Sequence, residues 1–373
     1  MSSQFNTMSE SQCRWGILGT AGIARKNWRS ILNSTNSTLS AVASRKAERA
    51  QSFIDECQNQ APYGVLPEAV GSYEGLLQRQ DVDAVYIPLP TGMRKEWVIR
   101  AAEAGKHVMC EKPCALTSDD LAQMTEACSA NRVQFMDGVM FMHSRRLPAV
   151  EAAIGSAHVG QLRRIASHHA FNADDGFLNS NIRMSSDLEP HGCLGDLGWY
   201  NIRFTLWAVG YEMPKEVSGR LLSTAKRDDS PLDVPMELSA EMFFENGVSA
   251  SFYCSFITEN QQWVTVGGNQ GFVHVPDFVL PFYGSRIGHQ TRSAKFLING
   301  TDFHMEPRDQ WHWTPEYSDG HPSAQETRLF QRFSEIVLSG QIDNHWPEIA
   351  LKTQRVMDAV LTSARQQGAP IEP

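Results

Sequence analysis

From Cys13 to Met136 short apolar runs alternate with amphipathic stretches, and no other feature narrows the fold as much. Trp15-Gly16-Ile17-Leu18 has the length and apolarity of a buried strand, and a helical pattern follows over Ile23–Leu32. Leu39–Ala43 repeats the strand signal, and the alanine- and charge-rich Ala47–Cys57 repeats the helix. Val82–Leu89 (VDAVYIPL), His107–Cys110 and Val133–Met136 continue the series, with helices expected at about 93–104 and 118–131. Apolar strands separated by helices build a parallel sheet covered on both faces. Its crossovers are right-handed, and its binding crevice opens at the strands' carboxyl ends.

The first strand-to-helix turn reads Gly19-Thr20-Ala21-Gly22-Ile23-Ala24. Glycines at such a turn let a pyrophosphate approach backbone N–H groups at a helix start. Ala21 and Ala24 replace the second and third glycines of the strict pattern, and both are small enough to keep the approach open. A dinucleotide site is therefore expected over Gly19–Ala24. The end of the second strand reports on its type. An acid there accepts from the adenosine ribose of NAD, whereas Arg accommodates the extra phosphate of NADP. Here the chain reads Ser44-Arg45-Lys46, with Arg49 one turn on and no carboxylate before Glu48. Cations oppose the dipole at a helix start, so their presence asks for an anion. Ser44, Arg45, Lys46 and Arg49 are assigned to NADP, with NAD the less favoured cofactor.

A length of 373 residues exceeds one ordinary core, so two domains follow the opening arm, read as residues 1–12. The boundary is placed between 141 and 142. The net charge of −9 excludes a nucleic-acid surface, which needs clustered cations. Seven cysteines at irregular spacing form no disulfide framework and suit a reducing cytoplasm. No apolar stretch is long enough to span a membrane, and the polar opening MSSQFNTMSESQ is no signal peptide.

Further along, Ala104-Gly105-Lys106-His107-Val108 leads into Glu111-Lys112-Pro113, after the segment Val82–Pro90. Gly195-Asp196-Leu197-Gly198-Trp199-Tyr200, Gly271–Asp277 and Trp346-Pro347-Glu348 add to the pattern. Together these resemble the Gfo/Idh/MocA oxidoreductases over nearly the whole chain. The resemblance implies an α/β Rossmann domain at 13–141. After it, at 142–373, it implies an α+β domain with a large, mostly antiparallel open sheet. The sequence agrees, since residues 159–171, 215–225, 235–257, 262–275 and 294–304 are β-rich or alternating. It implies hydride transfer between nicotinamide C4 and a sugar, polyol or related cyclic alcohol or carbonyl, and a homodimer formed through the C-terminal sheet.

Residue by residue, the resemblance assigns Lys112, Asp196 and Tyr200 to catalysis. Lys112 polarises the substrate oxygen and Tyr200 moves the proton. A phenol at its ordinary pKa needs a cation beside it, and Lys112 is placed to lower it. Asp196 and Tyr200, four apart, share a helix face. Pro88, Leu89, Pro90, Thr91, Glu111 and Lys112 are assigned to the cofactor. Arg94, where relatives carry His, is assigned to substrate together with Arg183 and Trp199. His191, Cys193 and Asp196 invite a metal reading, but the repeated spacing of a zinc site is missing and no metal is expected. His168 and His169 are strand neighbours that face opposite ways. Trp311-His312-Trp313 suits either stacking on a sugar or an interface. Two other functions remain open at this point: a non-catalytic NADP sensor, and a redox glycosidase that retains its dinucleotide.

Overall fold

A computed structural model describes residues 12–373, so the arm expected over residues 1–12 lies, apart from Gln12, outside the described residues. The first half runs β1 (Cys13–Leu18), α1 (Gly22–Asn33), β2 (Ser37–Ala43), α2 (Ala47–Gln60), β3 (Glu68–Val70) and α3 (Tyr73–Leu77). It continues with β4 (Ala84–Ile87), α4 (Thr91–Glu103), β5 (His107–Cys110), α5 (Ser118–Ala130) and β6 (Phe135–Asp137). These strands form one parallel sheet in the order β3-β2-β1-β4-β5-β6. The order reverses at β1, which opens a crevice above its carboxyl end. β3 and α3 were not anticipated. β3 has three residues, none of them buried, and carries too little apolar signal to stand out.

The second half runs α6 (Arg146–Ile154), β7 (Leu162–Asn172), α7 (Asp175–Ser180), α8 (Trp199–Ala208), β8 (Glu216–Ala225), β9 (Val234–Phe243) and β10 (Ser249–Ser255). Then come β11 (Ile257–Gly268), β12 (Phe272–Val275), β13 (Arg286–Asn299), β14 (Asp302–Pro315), α9 (Gln325–Ser339) and α10 (His345–Arg365). Its sheet has the order β14-β13-β12-β11-β7-β10-β9-β8, and only β7 and β10 pair in parallel. The stretch 235–257 resolves into β9 and β10, and 294–304 is the tip of the long β13–β14 hairpin.

Two features lock the halves together around the crevice. α9 returns from the second half to cover β1: Phe330 and Phe333 each lie 5.0 Å from the Trp15 ring, whose Nε1 donates to Ser334 Oγ at 3.1 Å. α8 is buried from Trp199 to Leu206, and its Arg203 meets Asp137 at the end of β6 at 2.7 Å, both side chains fully enclosed. Removing either partner of a pair this deep leaves an uncompensated charge. Asp137 also accepts from Trp199 Nε1, and Arg203 Nε donates to Thr353 in α10. The helix that carries the candidate catalytic tyrosine is thereby fixed to the first sheet.

Candidate active site

A cavity of ≈ 1080 Å³ runs from the β1–α1 turn to α8. At its first end, Gly19 turns the chain at φ 111°, in the region that favours glycine, and a Cβ there would come within 2.9 Å of Leu89. α1 starts without a capping side chain and without an acid in its first turn. A Cβ on Gly22 would meet nothing within 4 Å, so the helix start faces open space. Such a start carries partial positive charge and unsatisfied N–H groups. Thr20, Ala21 and Ile23 line the cavity beside it, while Ala24 is buried beneath. At the end of β2, Ser44 and Arg45 line the same wall, and Arg49 donates from Nε to Thr20 Oγ1 at 3.1 Å. Pro88, Leu89 and Pro90 line it after β4. Glycine turn, open helix start and guanidinium groups together fit a phosphate-bearing dinucleotide.

At the other end, Lys112 follows β5, and its peptide bond to Pro113 is cis. Its Nζ donates to Asp196 Oδ1 at 2.8 Å and to the Asp196 carbonyl at 2.7 Å, and stands 4.6 Å from the centre of the Tyr200 ring. Arg183 Nε reaches the other Asp196 oxygen at 2.7 Å. Asp196 sits in a π turn, Leu194–Gly198, that runs directly into α8. The wider turn replaces the regular helix expected there, yet leaves Asp196 and Tyr200 on the cavity wall. Such turns recur at functional sites because they redirect side chains. Burial raises the Asp196 pKa, but Lys112 and Arg183 outweigh it and hold the carboxyl well below its ordinary 3.8. Burial, with Glu111 and Asp196 nearby, pushes the Tyr200 phenol well above 10. Lowering by Lys112 was expected, and the geometry explains the reverse. The ammonium faces the ring and is neutralised by Asp196.

Glu111 lines the cavity and is held in place: Tyr86 OH donates to Oε1 at 2.6 Å, and the Lys112 N–H to Oε2 at 3.2 Å. Gly138 makes room for it, since a Cβ there would stand 3.1 Å from Oε1.

Four assigned residues have surroundings that the sequence did not disclose. Arg94 is buried with its guanidinium engaged: Nε donates to Leu89 O at 2.7 Å, Nη1 to Thr91 Oγ1 at 2.9 Å and to Pro113 O, and Nη2 lies 3.9 Å from Glu189. It lines the cavity, and these bonds tie α4 to the Lys112 segment, leaving only Nη2 without a hydrogen bond. Trp199, the first residue after the π turn, is fully buried and bonded to Asp137, outside the cavity lining. Lys46 is exposed outside the lining. Thr91, expected at the cofactor, instead donates to Glu189 Oε2 at 2.6 Å, and its N–H to Oε1 at 3.0 Å.

Sequence reasoning gave Glu189 and His169 no role at the site. Glu189 lies in the segment weighed for metals, and it caps α4 across the crevice. His169 lines the cavity, and the period of two along β7 was the signal that it would. Of the other metal candidates, His191 is buried and Cys193 Sγ lies 3.8 Å from Cys254 Sγ. Trp311 and Trp313 stack 4.9 Å apart on exposed β14, outside the cavity lining.

Comparison with known proteins agrees with this architecture. Residues 13–139 match the family model described as an oxidoreductase family with an NAD-binding Rossmann fold. Residues 148–274 match the GFO/IDH/MocA C-terminal domain. A D-xylose 1-dehydrogenase (NADP(+)) of Haloferax volcanii is 29% identical over 362 residues, covering 96% of this chain and 99% of its own. An uncharacterised oxidoreductase of Rhizobium meliloti is 32% identical over 361 residues, covering 95% and 97%. The crystal structure of a 3-ketoreductase from Actinomadura kijaniata in complex with NADP and TDP-benzene superposes with a TM-score of 0.78 at 24% identity, covering 95% and 98%.

Proposed function

The chain belongs to the Gfo/Idh/MocA oxidoreductase family, and we propose that it moves hydride between NADP and a sugar, polyol or related cyclic alcohol or carbonyl. One observation carries this reading. A single cavity joins the glycine turn and Arg45 to Lys112, Asp196 and Tyr200. Bound there, the nicotinamide would supply or accept the hydride at its C4.

The protein's own residues handle the oxygen and the proton. An ammonium has three donors, and Asp196 takes two of those on Lys112, leaving one for a substrate oxygen. That donor, fixed before the reaction, stabilises the alkoxide developing from a carbonyl. Tyr200, kept protonated by its burial, delivers the proton. The ammonium over its ring then faces the phenolate that forms. This arrangement favours reduction near neutral pH. Asp196 and Arg183 keep Lys112 aimed. NADP is favoured over NAD because Ser44 and Arg45 line the cavity at the end of β2, where Arg can receive a phosphate. The name of the Haloferax volcanii relative supports the same choice.

The exposed Phe296, Ile298, Phe303 and Met305 on β13 and β14, with the Trp311–Trp313 stack, support a homodimer through this sheet. All seven cysteines are free and buried, which suits the cytoplasm. The test of function is NADPH oxidation with aldoses, ketoses and dicarbonyls. Turnover by at least one, faster with NADPH than with NADH, is the expected result. Tight NADPH binding without turnover would make the protein a sensor. Glycoside cleavage by retained dinucleotide, without net NADPH loss, would make it a redox glycosidase.

A further inference from the structure

β7 sends its two adjacent histidines to opposite faces of the second sheet. His168 packs against Tyr253 and Trp263, at 4.6 and 5.7 Å between ring centres. His169 instead lines the cavity, edge-on to the Tyr200 ring at 5.5 Å and backed by Phe278 at 6.0 Å. Tyr200 thus contacts both the Lys112 ammonium and this imidazole. The rest of that wall is largely apolar, with Met140, Phe171, Val279, Leu280 and Leu329. His169 Nδ1 is buried with no partner. A neutral imidazole carries one donor and one acceptor nitrogen, and with Nδ1 sealed off it is Nε2 that is left to meet a ligand. Burial, reinforced by Lys112, pushes the ring down to about 4, so it stays neutral where the enzyme works. A neutral ring of this kind suits hydrogen bonding better than proton transfer.

We propose that His169 determines specificity by hydrogen-bonding a second substrate oxygen, next to the carbon that Lys112 and Tyr200 serve. The site then prefers α-hydroxy carbonyl compounds and their vicinal diols to compounds with a single oxygen function. Neighbouring oxygens on a sugar ring stand about one hydrogen-bond length apart, and two side chains whose rings touch can each hold one. This inference rests on the oxidoreductase reading. It commits the residue to Nε2, the ring nitrogen opposite the sealed Nδ1.

The experiment compares kcat/KM for the best substrate of the panel with that for its analogue lacking the neighbouring hydroxyl. D-glucose and 2-deoxy-D-glucose with NADP, and 2-hydroxycyclohexanone and cyclohexanone with NADPH, are the first pairs. The native enzyme should prefer the hydroxylated member by about 10- to 100-fold, the effect of leaving a buried polar group unpaired. His169→Gln, whose amide reaches the Nε2 position, should retain much of that preference. His169→Asn, which reaches only the Nδ1 position, should lose it, lowering kcat/KM for the hydroxylated member far more than for the deoxy analogue. Equal slowing of both members in His169→Asn, or no preference in the native enzyme, would overturn the assignment alone. Silence of the native enzyme on the whole panel would overturn the oxidoreductase reading and take this assignment with it.

Discussion

The two ends of the cavity are built on opposite plans. The dinucleotide end uses backbone geometry and exposed cations: a glycine turn, an uncapped helix start, and Arg45 and Arg49 at the surface. Its glycine turn, helix start and cations all come from the first 50 residues. The candidate catalytic end uses side chains that compensate one another: the enclosed Lys112 from one half of the chain, with the enclosed Asp196 and Tyr200 and the half-buried Arg183 from the other. The first plan leaves charge unspent for an incoming phosphate. The second neutralises charge in advance and, on the proposed function, keeps one donor and one proton for the reaction. Substitutions at the two ends should therefore fail in different ways.

The largest difference is expected in turnover. Lys112→Ala and Tyr200→Phe should each lower kcat by about 10²- to 10⁴-fold, the range for losing a positioned proton donor or oxyanion partner. NADPH dissociation constants should stay within about 3-fold, under 1 kcal/mol. Unchanged kcat in Tyr200→Phe removes it as the proton donor. The same closed network makes a statement about pH. Asp196 is held ionised well below 3.8, His169 is neutral above about 4, and Tyr200 stays protonated beyond 10. None of the three titrates between about pH 5 and about pH 9, so kcat for carbonyl reduction should be level across that window. A bell-shaped profile with limbs inside it would show that another group donates the proton.

Next comes stability. Arg94→Leu leaves the Leu89 and Pro113 carbonyls without their donor and Glu189 without its cation, and should destabilise the fold by about 3 kcal/mol in denaturant titrations. Arg183→Leu removes a side chain that is 37% exposed, and should slow turnover with a much smaller loss of stability. If Arg94→Leu is as stable as the native chain but binds substrate poorly, the guanidinium serves substrate after all.

Arg94 also shows what a sequence can and cannot disclose. The β1–β2–β4–β5 series was legible because each strand is an apolar run flanked by turn residues, and β5 begins and ends where the pattern places it. Lys112 and Glu111 follow that buried strand, and the family resemblance assigned them to the site. The partners of Arg94 were not, because Glu189 lies 95 positions away and meets it only across the crevice. The π turn was equally hidden. Leu194–Gly198 reads as ordinary helix, and the wider π turn leaves no periodic trace. His169 was visible as a strand residue, but only the packed sheet shows that its face is the one with the cavity.

A smaller effect is expected at the cofactor. Arg45→Ala should raise KM for NADPH by about 10- to 100-fold, the worth of a charge-assisted hydrogen bond, and change KM for NADH by less than about 2-fold. Equal losses for both dinucleotides would mean that Arg45 contributes only general charge. That result would also make the first end resemble the second, since its cations would then serve the scaffold rather than the ligand.

The mildest substitution separates the two plans most directly. Gly22→Ala adds one methyl group at the start of α1, where a Cβ meets nothing within 4 Å and no positive φ needs relief. Alanine restricts the unfolded chain and suits a helix, so stability should hold or rise by up to about 1 kcal/mol. The methyl group nevertheless stands where a pyrophosphate must approach the backbone, and it should weaken NADPH and NADH alike by about 10-fold, or 1.4 kcal/mol. Loss common to both dinucleotides distinguishes this position from Arg45, and retained stability distinguishes it from Arg94. If affinity for both is unchanged, the phosphates do not rest on this helix start, and the open space at Gly22 has some other use.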